Sequence, residues 1–269
     1  MNGPRSALGW AGPLPVLRWP EISSAGVEAV VTTRRGGVSS GPFRSLNLGL
    51  HVGDDAAAVA ENRQRAAAAV GASTTDLVVG QQVHGNRVAV VTAADRGRGA
   101  LDLTDALPEV DALVTAVPGP VLVTLVADCV PIVLVDPIAR VLATVHAGWR
   151  GTAAGVTGTA LDVMGDLGAD PSRVVAALGP AVSPDTYRVG DDVAEALAAA
   201  VGDEVLRPSG EGGWLVDLVE GNRRSLVARG VARESIVTAG MATGNQGPFF
   251  SDREARPCGR FGLLARLRP

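Results

Sequence analysis

Histidine and cysteine are scarce in this chain. Among its 269 residues there are three histidines, His51, His84 and His146, and two cysteines, Cys129 and Cys258. Two cysteines cannot supply a disulfide framework, so the fold must rest on its own core, and a reducing, cytoplasmic location is expected. A Cys129–Cys258 bridge is the minor alternative. Aromatic residues make up only 3%, which leaves a core of Val, Leu and Ala. The net charge is −4 and no basic block interrupts it, so nucleic-acid binding through a broad positive face is not expected. No run approaches the ~18 consecutive apolar residues of a membrane span, so no membrane partner is expected. Residues 1–20 lack the continuous apolar core of a signal peptide.

What the chain does have is 34 glycines and 46% hydrophobic residues, enough for one sizeable core or two fused halves. Residues 1–20 read as a flexible N-terminal arm, and residues 21–269 as one catalytic domain without repeat or linker. Strands are predicted at 27–33, 46–52, 77–80, 88–92, 111–115, 121–126, 132–135, 139–146, 174–178 and 235–238, with a last one in the tail 249–267. Helices are predicted from Ala56 to about Val70, capped by Asp54 or Asp55 and supported by Glu61–Arg65, and over 152–168, 191–201 and 217–229. Several strands separate successive helices. This predicts an α/β fold, a single layered domain with mixed β-sheets flanked by helices.

The three histidines each sit where an apolar run meets a glycine turn, and Cys129 ends another apolar run. Zinc accepts imidazole nitrogen and thiolate sulfur, and catalytic zinc commonly keeps three protein ligands and one open position. His84, Cys129 and His146 would make such a set. Their spacings are too wide for a zinc-finger knuckle and suit ligands at the ends of separate strands. The plainer reading is a buried small cysteine and histidines packed in a core; adjacent glycines and acidic residues, which are poor core filler, weigh against it. Asp128 could accept a hydrogen bond from a ligand histidine or a proton from water, or simply form a turn. Arg150, after Trp149 at a helix start, could hold an anion such as phosphate, or be a surface arginine.

Gln82-Val-His-Gly85, Ala127-Asp-Cys-Val-Pro131 and His146-Ala-Gly-Trp-Arg-Gly151, in this order, resemble the YfiH-like family, also labelled laccase domain, multicopper polyphenol oxidase and peptidoglycan editing factor. Thr32–Pro42, Ser45–Gly49, His51–Asp55, Glu61–Arg63, Gly179-Pro180, Tyr187–Gly190, Phe249–Ser251 and Gly259-Arg260 extend the resemblance over residues 27–267. The resemblance implies a YfiH-like fold related to the cytotoxic necrotizing factor catalytic domain. It implies a zinc site at His84, Cys129 and His146, and a purine-nucleoside activity: phosphorolysis of adenosine, inosine, guanosine or methylthioadenosine, and deamination of adenosine. It also places His51 and Arg63 in pocket-lining segments, where they would contact substrate or phosphate; His51 reads equally as a core histidine. The chain departs from the family pattern at Asp185-Thr186, at Asp252-Arg253-Glu254 and at Cys258, positions that bear on which nucleoside is preferred.

The expected function is therefore a zinc-dependent purine nucleoside phosphorylase and adenosine deaminase. Asp128, Cys129 and His146 form the candidate catalytic set, and His51, Arg63 and Arg150 the candidate substrate and phosphate contacts. Purine nucleosides and inorganic phosphate are the expected partners. Three alternatives belong to other classes. A thiol hydrolase acting on peptidoglycan precursors would use Cys129 as nucleophile and His146 as base. A copper polyphenol oxidase needs histidine-rich copper centres, which three histidines cannot build. A binding or regulatory partner would show no turnover.

Overall fold

A computed structural model describes residues 7–210, 212–244 and 246–269. The chain opens with the hairpin β1 (Ala7–Ala11) and β2 (Leu14–Arg18), a helical turn α1 (Pro20–Ser24) and β3 (Val27–Thr32). A long coil leads to α2 (Ala56–Ala68) and β4 (Leu77–Val79). Then come β5 (Val88–Val90), β6 (Ala112–Thr115), β7 (Val121–Val126), β8 (Val130–Asp136) and β9 (Val141–Ala147). Two helices follow, α3 (Trp149–Ala153) and α4 (Val156–Asp166), and then β10 (Val175–Leu178) and β11 (Arg188–Val189). The remainder is α5 (Asp191–Val201), β12 (Leu206–Pro208), β13 (Trp214–Val216), α6 (Leu218–Ala228), β14 (Ile236–Thr238) and β15 (Phe261–Leu267).

Two six-stranded sheets carry the fold, in the orders β1-β2-β3-β15-β7-β4 and β14-β10-β8-β9-β6-β5, with β11-β13-β12 as a small third sheet. The β4·β7, β5·β6 and β10·β14 pairs are parallel and the rest antiparallel, so both large sheets are mixed, as expected. The continuous apolar runs of β7, β8 and β9 follow from burial on both faces. In β8, Val133 and Val135 meet Leu122 and Leu263 of the first sheet, whereas Val130, Ile132 and Leu134 face the other way, toward Val156, Leu161 and Met164 of α4. Helix α2 lays Ala66 and Ala67 on the far face of the first sheet, against Leu77 and Val121. The order of layers is therefore helix, sheet, sheet, helices. Helix α2 starts where the Asp55 carboxylate accepts from the Ala57 N–H at 3.0 Å, and the Glu61–Arg65 pair closes at 2.8 Å.

Four expectations are corrected. Within the arm expected over residues 1–20, residues 7–18 form β1 and β2, because Leu14, Val16, Leu17 and Trp19 are buried and β2 pairs with β3; residues 1–6 lie outside the described residues. The extended run at 46–52 is coil followed by a short 3-10 turn. There the Asn47 side chain accepts from Gly49 N–H and Arg260 N–H, at 2.9 and 2.8 Å, in place of a neighbouring strand. The single helix expected over 152–168 is two, broken at Gly155, whose φ of 76° is left-handed. The strand expected to end at His146 continues to Ala147.

Candidate metal centre

Three loops meet at one end of the two large sheets. Strands β4 and β7 run parallel, so the loop Gly80–Gly85 and the turn Ala127–Cys129 leave on the same side. Strand β9 returns antiparallel to β8 with His146 opposite Pro131, which sets the end of β9 beside Cys129. Alternation decides where His146 points. Val141, Ala143, Val145 and Ala147 face the helices, so His146 turns inward between the sheets. The available ligand atoms of His84, Cys129 and His146 all lie within 4.8 Å of one another. The two imidazoles meet edge to face, with ring centroids 4.7 Å apart.

The backbone bends sharply to achieve this. His84 and Asp128 have φ of 61° and 88°, a left-handed region that costs a non-glycine residue about 1–3 kcal/mol. Hydrogen bonds hold both bends. The Asp111 carboxylate accepts from the N–H groups of Val83, His84 and Gly85, and the Asp128 carboxylate from Thr243 Oγ1 and the Arg253 N–H. Gly148 must be glycine here for space rather than for φ. A Cβ at that position would lie 2.8 Å from Cys129 Sγ and 3.1 Å from His84 Cδ2.

The electrostatics suit a cation. Burial works against ionisation of the Cys129 thiol, but the charge of His146 and hydrogen bonds from His146 and His84 outweigh it and lower the thiol below its ordinary value. Burial likewise opposes a charge on His146, yet the Cys129 sulfur and the Asp111 carboxylate raise it. A thiolate is the form a metal requires. His146 Nδ1 lies 2.8 Å from Asp111 Oδ1, which leaves Nε2 as the nitrogen available for coordination. Two imidazoles and a thiolate fit zinc, with room for a fourth, exchangeable position. A cavity of about 560 Å³ opens beside the three.

The residues singled out from the sequence divide in two. His51 and Arg150 line the cavity with the three ligand candidates. Burial lowers the pKa of His51, helped by the charges of Arg260 and Arg63. The Arg150 guanidinium stacks 4.4 Å from the Trp149 ring centroid. Arg63 and Asp128 are not on the wall. Arg63 is buried and donates to the carbonyls of Leu48, Gly99 and Ala100, so it ties two loop segments to α2. Asp128 is taken up by Thr243 and Arg253, and the acceptor for His146, a candidate ligand, is Asp111, which reads in the sequence only as a strand start. Also missed were Arg256, Arg260 and Asp252 on the wall; Arg260 lay inside a quoted motif and Asp252 at a noted departure.

Comparison with known proteins extends over nearly the whole chain. The family model described as multi-copper polyphenol oxidoreductase laccase matches residues 28–268. The chain is 40% identical over 257 residues to purine nucleoside phosphorylase YlmD of Geobacillus stearothermophilus, covering 94% of this chain and 92% of that one. It is 43% identical over 242 residues to a purine nucleoside phosphorylase of Mycobacterium tuberculosis, covering 90% and 92%. The crystal structure of YlmD from G. stearothermophilus superposes with a TM-score of 0.92 at 38% identity, over 97% of this chain and 99% of that one. The hypothetical protein YfiH of Bacillus licheniformis superposes with a TM-score of 0.91 at 33% identity, with the same coverage.

Proposed function

The chain belongs to the YfiH-like family, whose model bears the laccase description, and from that membership we propose that it is a zinc-dependent purine nucleoside phosphorylase. The observation that carries this reading is the His84–Cys129–His146 group opening onto an arginine-lined cavity, in a chain whose relatives are named for that activity. Phosphorolysis joins a phosphate oxygen to C1′ of the ribose as the bond from C1′ to the purine breaks, and the departing purine takes up a proton. The substrates are purine nucleosides and inorganic phosphate.

The wall divides this work. Arg150, Arg256 and Arg260 set positive charge around the cavity for an anion. Asp252 steadies two of them, 2.7 Å from Arg256 Nε and 3.0 Å from Arg260 Nη2. Arg63 is too committed to backbone carbonyls to share in this. Gln82 is a strut: its amide accepts from the Leu125 N–H at 2.8 Å and donates to the Leu125 carbonyl at 2.7 Å. Gln81 donates to the Leu103 carbonyl at 3.1 Å, which leaves its oxygen for a nucleoside. His51, with its pKa lowered, presents a neutral imidazole as donor and acceptor. Zinc, when bound, supplies Lewis-acid polarisation of an oxygen at its open position. Adenosine deamination at the same site is a second proposed activity, resting on the family resemblance alone. The tail supplies Asp252, Arg256 and Arg260 to the wall, so its departures from the family pattern bear on which nucleoside the cavity takes.

The low thiol pKa of Cys129 beside His146 favours one rival reading, a thiol hydrolase. Elemental analysis, joined to chromatography of adenosine, inosine and methylthioadenosine with and without phosphate, separates the two. One zinc per chain, phosphate-dependent release of free base and loss of turnover with a chelator are expected. Turnover that survives complete zinc removal would sink the zinc reading, and stoichiometric copper would return the laccase one. No helix among the described residues is long and apolar enough to cross a membrane; the cytoplasmic location proposed rests on Cys129 and Cys258 being free thiols, the state a reducing compartment maintains.

A further inference from the structure

Asp111 immediately precedes β6, and its side chain has no exposed surface. Its carboxylate accepts four hydrogen bonds. Three come from successive N–H groups of the loop that presents His84: Val83 at 3.2 Å, His84 at 2.9 Å and Gly85 at 2.7 Å. The left-handed turn at His84 aims these three groups at one point, a concavity suited to an anion. The chain fills that concavity from within, using its own carboxylate. The fourth bond comes from His146 Nδ1 at 2.8 Å. The Asp111 carbonyl also accepts the His146 N–H at 2.7 Å. One residue thus grips His146 by ring and by backbone, and His84 by the turn that carries it. Cys129 has no hydrogen bond to Asp111; its turn is fastened through Asp128.

We propose that Asp111 is the positioning residue of the metal centre, holding both imidazoles in ligating orientation while leaving the thiolate to a separate support. The asymmetry is physical. A carboxylate can accept from all four donors, but an amide cannot. In D111N, one orientation of the amide turns NH2 toward the N–H groups of Val83 and Gly85. The other turns NH2 toward His146 Nδ1, which must then accept, moving the proton to Nε2 and blocking the coordinating atom.

The inference rests on the proposed zinc centre, and the test keeps the two apart. Zinc affinity is measured on the full chain by competition with a chelating dye, without any turnover assay. D111N is expected to bind zinc about 10–100-fold more weakly, while its cobalt-loaded form keeps the thiolate-to-cobalt charge-transfer band, since Cys129 is held elsewhere. Wild-type zinc affinity in folded D111N, or loss of that band, overturns the proposal. Should D111N fail to fold, long-range nitrogen–proton correlations of the zinc-loaded wild type decide instead. A proton on His146 Nδ1 with Nε2 coordinated is expected, and coordination through Nδ1 overturns it. If the wild type binds no zinc at all, the zinc reading itself has failed; if it does bind and D111N matches it, only the role of Asp111 has failed.

Discussion

Asp111 and Asp136 stand at opposite ends of the second sheet, and both have fully enclosed side chains. They differ in what answers their charge. Asp136 closes β8 and accepts from the N–H groups of Ile138, Ala139 and Asp170, at 2.8, 3.0 and 2.9 Å. It also pairs with the Arg173 guanidinium at 2.8 Å. Burial opposes its ionisation, but these contacts outweigh that and hold the carboxyl at about 2. Arg173 also reaches Asp170 and the Gly168 carbonyl, so these partners brace one another, and folding alone completes that end. Asp111 is answered by the imidazole of His146, a candidate metal ligand, and by a loop held in a left-handed bend. The same residue type at the same burial therefore closes a turn at one end and braces the candidate metal centre at the other.

The sharpest way to break this contrast is to remove a ligand. Cys129→Ala should bring bound zinc and turnover to background, while the melting temperature of the metal-free protein stays near that of the wild type. A large loss of metal-free stability would mean that this end, too, is essentially structural. At the other end, Asp136→Asn should cost about 2–3 kcal/mol, lowering the melting temperature by roughly 4–10 °C with zinc per chain unchanged. The pH dependence carries the same sign. A depressed carboxyl stabilises the fold above its unfolded value of about 3.9, and that stability is lost as pH falls toward about 2. Urea unfolding of the wild type should weaken over that window more steeply than unfolding of the variant.

Smaller changes sharpen the contrast within the metal end. Gly148→Ala puts a methyl group 2.8 Å from Cys129 Sγ at an ordinary φ of −77°, so overpacking of about 1–3 kcal/mol should appear as roughly tenfold or greater loss of zinc affinity. Arg150→Ala should raise the KM for phosphate severalfold, about 1 kcal/mol for an exposed charge, with zinc content intact. An equal rise in the KM for the nucleoside would count against an anion role.

The contrast also marks where the sequence could be read. Strands β7 and β8 and helices α2, α5 and α6 announce themselves through unbroken apolar runs, caps and period. The grouping of His84, Cys129 and His146 was legible because rare residue types recur at glycine turns and in family motifs. The hairpin β1–β2 was obscured by Pro13, Pro15 and Gly12, which read as loop until Leu14 and Leu17 are seen buried. Arg63 looked like any helical arginine, since nothing local reveals that three distant carbonyls receive it. Asp111 was silent for the same reason: its partners lie on another loop and another strand, and only tertiary pairing brings them to it. Asp128 stood next to the ligand in sequence, and adjacency in the chain suggested contact with a histidine that the fold does not make.

Strand β15 follows every other element in the chain, yet it lies between β3 and β7. While the ribosome is still translating the preceding segments, the first sheet is two unjoined pieces, and the turn bearing Cys129 hangs from one of them. Closure of the first sheet, and completion of the cavity wall by Asp252, Arg256 and Arg260 just ahead of β15, therefore come last in synthesis.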